Sequence, residues 1–281
     1  MTSSVLVRAM TPEDIGAGLR LCRLSQWNQV EDDWRCFLDS PHGGGRLAEK
    51  NGKVVGTVTY LRYAPSFSWL SMMLVDPQER RTGIGSQLME AALEAVRDES
   101  CVRLDATPLG QPLYRRYGFI PEYELARAST VAGRCLPFGP CVRPMGPGDL
   151  AEVLAWDREI FGADRSALLA SFYRRAPEFA EIARDGARLT GYCFGRPGYL
   201  YWQLGPIVAA CAEVARELAA GCLSRQTGER VAIDVPRRNA AWIAWLESIG
   251  FAVERPFVRM YRGENAGLPE RQFAIAGPEF G

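Results

Sequence analysis

The spacing of apolar positions over the first 130 residues predicts strands and helices in alternation. Val5 to Ala9 reads as a strand, followed by helices from Pro12 to Ser25 and from Val30 to Leu38. Pro12 suits a first helical turn and Thr11 an N-cap, since proline presets φ and a threonine hydroxyl can accept from an orphan N–H. Strands are expected at Arg46 to Glu49, Val54 to Leu61 and Ser68 to Val75, with Asn51-Gly52 as a hairpin turn between the first two. In the third, Trp69, Ser71, Met73 and Val75 alternate with Leu70, Met72 and Leu74, so both faces look buried and the strand belongs at the centre of a sheet. A helix follows at Gly83 to Val96, with Ile84, Leu88, Ala91, Ala92 and Ala95 on one stripe. Then come a strand at Val102 to Ala106, a short helix around Gln111 to Arg116 and a closing strand after Phe119.

The pattern then starts again. Val7-Arg8-Ala9-Met10-Thr11-Pro12-Glu13-Asp14 returns as Val142-Arg143-Pro144-Met145-Gly146-Pro147-Gly148-Asp149, preserving V-R-x-M-x-P-x-D. Near the end of each half an apolar helix end runs into Gly118-Phe119 and Gly250-Phe251. A repeat of this length is too long for a solenoid and implies one domain fold used twice. Gly133, Pro137, Gly139 and Pro140 mark the boundary, giving domains at 1–132 and 141–281. The expected class is α/β (α+β): two tandem domains, each a mixed, mostly antiparallel sheet flanked by helices. The second half repeats the order with helices near Asp149 to Glu159 and Asp164 to Arg174, strands through Glu181 to Arg196 and Tyr199 to Leu204, and a helix from Ala209 to Arg225.

Composition narrows the chemistry. The 281 residues carry 33 basic and 33 acidic side chains, with no Lys/Arg block suited to nucleic acid. No run approaches the roughly 18 apolar residues of a membrane span, and the first ten residues lack the basic-then-apolar pattern of a leader, so a cytoplasmic location is expected. The eight cysteines include no CxxC pair, and most read as small core residues. His42 is the only histidine and sits in the loop-like Ser40-Pro41-His42-Gly43-Gly44-Gly45, which leaves little for a His-based zinc site or nucleophile pair and no metal is expected.

The chemistry concentrates in Asp76-Pro77-Gln78-Glu79-Arg80-Arg81-Thr82-Gly83-Ile84-Gly85-Ser86, between the central strand and the long helix. Strand, turn, two close glycines and a helix opening point unpaired backbone N–H groups at one spot, where an anion binds. The glycines let the backbone approach a phosphate, and Arg80 or Arg81 adds charge. The spacing is neither G-x-G-x-x-G nor G-x-x-x-x-G-K-[ST] but R-x-x-G-x-G.

With Arg80, Gly83 and Gly85 in that spacing, and Leu113-Tyr114 preceding Gly118-Phe119, the chain resembles the GCN5-related N-acetyltransferases over residues 5 to 130. The resemblance implies that the pyrophosphate of acetyl-CoA lies on the loop, Arg80 to Ser86. It also implies that the preceding strand splays from the next, freeing N–H groups of Met73 and Val75 for the pantetheine and the thioester carbonyl. Tyr114 holds the position of the general acid, with Tyr117 as rival. Many relatives place a Glu on the central strand as base, and this strand has none. Asp105 could act directly, act through a water, or cap the turn at Ala106-Thr107-Pro108. A base or a lowered substrate pKa is needed because an alkylamine of pKa about 10.4 is only about 0.04% neutral at pH 7.

In the second half, Gly205-Pro206-Ile207-Val208-Ala209-Ala210 stands where the loop should be and lacks the Arg and the paired glycines, so no second CoA is expected. This half resembles the divergent acetyltransferase-like domain of tandem bacterial proteins through Phe161-Gly162-Ala163-Asp164-Arg165, Asp234-Val235-Pro236 with Asn239, Arg259-Met260 and the tail Ala276-Gly277-Pro278-Glu279-Phe280. Asp164, Arg165, Asp234, Asn239 and Arg259 are candidates for a substrate pocket between the halves, against helix capping, turn chemistry and ion pairing. The expected activity is acetyl transfer from acetyl-CoA to a primary amine of a small molecule. Acylation of a protein lysine or N-terminus, and a CoA sensor without catalysis, are the alternatives; monomer or homodimer stays open.

Overall fold

The computed structural model describes residues 4–63, 66–133, 136–264 and 270–281. In the first half, β1 (Leu6–Ala9) leads through a 3-10 turn at Pro12–Asp14 to α1 (Ile15–Leu24) and α2 (Glu31–Leu38). The hairpin strands β2 (Gly43–Lys50) and β3 (Lys53–Tyr63) precede β4 (Phe67–Val75), α3 (Ile84–Ala95), β5 (Cys101–Ala106), α4 (Gln111–Arg116) and β6 (Ile120–Val131). The second half repeats this with β7 (Val142–Pro144), α5 (Leu150–Phe161), α6 (Ser166–Arg175), β8 (Glu181–Asp185), β9 (Arg188–Arg196) and β10 (Trp202–Ala209). It continues with α7 (Ala212–Ser224), β11 (Arg230–Pro236), α8 (Ala240–Ser248) and β12 (Ala252–Gly263), and adds a short β13 (Gln272–Ala274).

The repeated V-R-x-M-x-P-x-D segment has one structural job in both halves. Arg8 binds Asp14 with both nitrogens, and Asp14 accepts from the Thr11 N–H; Arg143, Asp149 and the Gly146 N–H repeat the arrangement. The proline opens the 3-10 turn, where its missing N–H costs nothing. Met10 and Met145 are buried in the core.

The two halves are consecutive in sequence but not separate in space. All strands belong to one sheet in the order β1-β2-β3-β4-β5-β12-β6-β11-β10-β9-β8-β7, with β13 against β10. Among the described residues only β4–β5 and β10–β11 run parallel. β12, from the second half, pairs with β5 on one side and β6 on the other, while β6, from the first half, pairs with β11 and β12. Each half thus lends its last long strand to the other's sheet. One face carries a core shared by both halves, in which Trp34 and Phe37 of α2, Leu169 and Phe172 of α6, and Trp69 of β4 are buried together. On the other face, α3 and α4 cover the first half around Leu88, Met89 and Tyr114, while α7 and α8 cover the second around Leu218 and Trp242.

Three expectations shift. Gly43, Gly44 and Gly45 form the start of β2 rather than a loop, and two of them permit close approach: a Cβ at Gly43 would stand 2.3 Å from the Phe37 carbonyl oxygen, and one at Gly44 would stand 2.5 Å from the Tyr60 hydroxyl. Gly205 to Ala209 belong to β10, not to a connection, and Pro206 sits where the β9 ladder is interrupted between Leu204 and Ile207, so no ladder bond is lost. The helix read from Ala209 starts at Ala212. No helix among the described residues is long and apolar enough to cross a membrane.

Candidate active site

β4 and β5 pair only at Ser68–Val102 and Trp69–Arg103. Beyond Trp69 the strands diverge, so the β5-facing edge of β4 from Leu70 to Val75 has no strand beside it. A bulge opposite Val58, with Met72 at φ 48°, turns this stretch further from regular pairing. The side chains of Met73 and Val75 are half-buried.

At its C-terminal end β4 enters the loop. The Asp76 carboxylate accepts from the Gln78 N–H and is anchored by Arg20 and Lys53. Arg80 donates to the Val75 carbonyl and Thr82 to that of Glu79, which rigidify the turn from within. Arg81 at φ 64° and Gly83 at φ 91° turn the chain into α3, and nothing lies within 4 Å of a Cβ built on Gly83. The exposed N-terminus of α3 therefore presents N–H groups to open space of the kind that receives an anion. Ile84 is buried under the helix and holds it against the sheet.

At the other end, the gap opens into a narrow cavity lined by Trp27, Ser71, Met72, Met73, Asp105, Tyr114, Arg255 and Glu279, among others. Tyr114 is 9% exposed; its ring meets Phe119 edge-on, and its hydroxyl has no hydrogen-bond partner among the described residues. Burial pushes its pKa up, so it carries its proton throughout the neutral range. Tyr117 is turned away: its hydroxyl donates to Glu90 at 2.8 Å, with the Ser86 carbonyl 3.2 Å off.

Asp105 caps no turn. Both its oxygens accept from Arg259, at 2.8 Å each, and Arg259 also donates to the Tyr123 hydroxyl and lies over the Trp69 ring. Burial pushes the Asp105 carboxyl up while Arg259 pulls it back. Asp234 makes the matching pair with Arg127 in the other half, supported by Gln203. Asp105–Arg259 and Asp234–Arg127 are equivalent by the repeat, and each joins a strand of one half to a strand of the other. The sequence signal for Arg127 was its register: it stands nine positions after Gly118, as Arg259 stands nine after Gly250.

The remaining candidates each have a structural partner, and two of them, Asp164 and Arg165, also line a pocket shared with Arg35, His42 and Arg62 of the first half. Asp164 accepts from the Ser166 N–H and from Arg158 at the exposed start of α6. Arg165 is buried against Asp157 and the Gly281 carbonyl. Asn239 caps α8 through the Trp242 N–H. None of Asp164, Arg165, Asp234, Asn239 or Arg259 lines this cavity, whereas four residues outside the sequence-based candidates, Trp27, Arg127, Arg255 and Glu279, do. Glu279 comes from the tail, where one oxygen accepts from Arg196 and the other has no partner among the described residues. Trp69 is sealed under the tail by its bond to the Pro278 carbonyl.

The equivalent gap in the second half is closed. β10 and β11 pair from Trp202–Val231 to Leu204–Ile233, and where they diverge β13 lies between them. Ile275 donates to the Asp234 carbonyl and Ala209 to that of Arg271. A Cβ at Gly205 would stand 2.1 Å from the Ile275 carbonyl oxygen, so this glycine admits the strand. Only Ala210 and Cys211 connect β10 to α7.

Comparison with known proteins agrees with this architecture. The model of the acetyltransferase (GNAT) family matches residues 17–119, and that of a GNAT acetyltransferase domain matches residues 153–274. A holothin acyltransferase of Pseudoalteromonas sp. (strain SANK 73390) is 27% identical over 258 residues, covering 91% of this chain and 87% of its own. The uncharacterised N-acetyltransferase YitH of Bacillus subtilis is 23% identical, covering 85% of each. Among solved structures, a proposed acetyltransferase of Pyrococcus horikoshii superposes with a TM-score of 0.81, 21% identity, and coverage of 99% of this chain and 96% of its own. A tandem GNAT protein from the clavulanic acid biosynthesis pathway gives 0.65 with 16% identity, covering 94% of this chain and 99% of its own. The chain belongs to the GNAT acetyltransferase family, with two such domains in tandem, and is an acyltransferase.

Proposed function

We propose that the first half binds acetyl-CoA and transfers its acetyl group by direct attack to a primary amine of a small molecule, while the second half completes the acceptor site. The observation that carries this reading is the one open gap, between β4 and β5, joining the Gly83 turn at one end to the cavity of Tyr114, Asp105 and Glu279 at the other. The donor supplies a thioester-activated acetyl group. N–H groups of the loop from Arg80 to Ser86 hold its pyrophosphate, with the guanidinium of Arg81 adding charge. Backbone N–H groups of Met73 and Val75 bind the pantetheine and the thioester oxygen, and a preset donor at that oxygen lowers the barrier by about 3 kcal/mol.

The amine attacks from the cavity, the C–N bond forms and the C–S bond breaks. Tyr114 gives its proton to the departing sulfur, whose thiol pKa near 8.5 keeps it protonated at neutral pH. Asp105 or Glu279 takes the proton from nitrogen; Glu279 has an oxygen free of Arg partners, and Asp105 does not. Pro278 and Glu279 of the tail add to the walls of this narrow cavity, which favours a small acceptor over a protein chain. The likeness to a holothin acyltransferase supports acyl transfer as the chemistry. The β13 segment fills the second gap, which supports a single donor site. The test is CoA release from acetyl-CoA, followed by a thiol reagent, with and without a panel of primary amines. Amine-dependent release is expected; binding without turnover on any amine would make the protein a sensor.

A further inference from the structure

Every charged side chain that lines the cavity is neutralised by a partner except one. Asp105 pairs with Arg259, Arg127 with Asp234, and Glu279 with Arg196. Arg255 lines the same cavity yet makes no ion pair and no hydrogen bond among the described residues; its guanidinium only lies 5.5 Å from the centre of the Phe257 ring. The adjacent carboxylate, Glu254, is turned to Ser129 and Arg230. The segments outside the described residues contain no Asp or Glu.

The repeat shows that this arrangement is not what the fold needs. Arg255 lies five positions after Gly250, as Tyr123 lies five after Gly118, and the two occupy matching registers, Arg255 opposite Arg127 and Tyr123 opposite Arg259. At the first-half position the tyrosine hydroxyl accepts from Arg259 and completes its hydrogen bonds. At the second-half position a half-buried cation stands beside Arg127, which turns to the Tyr201 hydroxyl instead. Burial and Arg127 both oppose the charge on Arg255 and lower its pKa. An arginine nevertheless stays ionised, so the cavity holds one uncompensated positive charge on a planar fork of donors.

We propose that Arg255 binds a carboxylate carried by the acceptor, so that the substrate is a primary amine bearing a carboxylate. The proposal rests on the acyl-transfer reading of this cavity. A carboxylate matches the fork with two parallel hydrogen bonds and cancels the single charge, whereas a dianionic phosphate would leave a negative charge facing Asp105 and Glu279.

The experiment measures acetyl transfer to matched acceptors: β-alanine and γ-aminobutyrate against their methyl esters and amides, with taurine and aminoethyl phosphate as other anions. The carboxylates are expected to exceed their esters by about tenfold or more in kcat/KM, the worth of a charge-assisted hydrogen bond. Arg255→Gln should bring them down to the ester level, chiefly through KM, and Arg255→Lys should recover part of the loss. Equal rates for acid and ester in the wild-type protein, a preference for the phosphate, or equal losses for acid and ester in Arg255→Gln would overturn the proposal. A parallel titration with acetyl-CoA separates the two readings. If acetyl-CoA does not bind, or no amine is turned over, the amino acids are titrated calorimetrically instead. Heat abolished in Arg255→Gln keeps the carboxylate site without the transfer chemistry, and no heat from any of them removes the site.

Discussion

The two parallel strand pairs of this molecule start alike and end differently. Each pairs for two or three residues and then diverges, as the repeated chain order dictates. In the first half the gap stays open and leads to a loop from Asp76 to Gly83. In the second, β13 fills the gap and two residues replace the loop. The difference teaches that duplication was kept where it builds the sheet and discarded at the strand ends, where the open gap and its loop belong to one half alone. The buried Asp–Arg pairs and the Arg–Asp-braced turns, which hold the fold, remain twofold. The segment that closes one gap continues through Pro278 and Glu279 into the cavity beside the other, so one piece of chain seals the second half and furnishes the first.

The comparison can be broken first at the plug. Phe273 packs edge-on against Trp242, and its carbonyl accepts from the Trp242 indole. Phe273→Ala should cost about 3–5 kcal/mol in a denaturant melt. It should not create a second donor site, because the Ala210–Cys211 connection offers no loop. Wild-type stability would show that β13 does not seal the gap.

Next is the contrast between Tyr114 and its repeat counterpart Leu246, which is buried in the apolar core under α8. Tyr114→Phe should lower kcat about 100-fold while acetyl-CoA affinity stays within twofold. Leu246→Met conserves volume and should leave kcat unaffected. A Tyr114→Phe enzyme at the wild-type rate would move the acid elsewhere.

The smallest effect concerns a feature both halves share. Hydrogen bonds from Arg143 hold the Asp149 carboxyl down to about 2, against an ordinary value of 3.8. Because the folded value is the lower one, this carboxylate stabilises the protein above pH 4, and the contribution is lost as pH falls from about 4 to 2. Screening at Arg143, which is half exposed, leaves about 1 kcal/mol of it. Asp149→Asn should therefore melt lower than the wild type by that amount at pH 7 and together with it at pH 2; a gap that persists at pH 2 would assign the effect to packing.

What could be read in the sequence was local. The R-x-x-G-x-G spacing, the Asn51-Gly52 hairpin and the V-R-x-M-x-P-x-D repeat are fixed by backbone conformation within a few residues, so residue type alone reveals them. The exchange of β6 and β12 was invisible because apolar alternation marks a strand without naming its neighbour. Gly205-Pro206 suggested a break in the chain, yet the glycine makes room for Ile275 and the proline sits at a ladder interruption. Asp105, Asp234 and Arg259 each stand far apart in the sequence. Only the register between halves shows them to be two copies of one ion pair, with Arg127 as the fourth member. Glu279 and Arg255 reach the cavity through long-range folding of the second half, which no local pattern carries.

The central claim is that one gap of the two binds the donor, and a calorimetric titration of the whole protein with acetyl-CoA, repeated with Gly83→Val, tests it most directly. The variant places a branched side chain at φ 91°, in the open space where the pyrophosphate would lie. One site per chain, with affinity reduced about 100-fold or more in Gly83→Val, is the predicted result. Two sites, or a single site indifferent to Gly83→Val, would contradict the account.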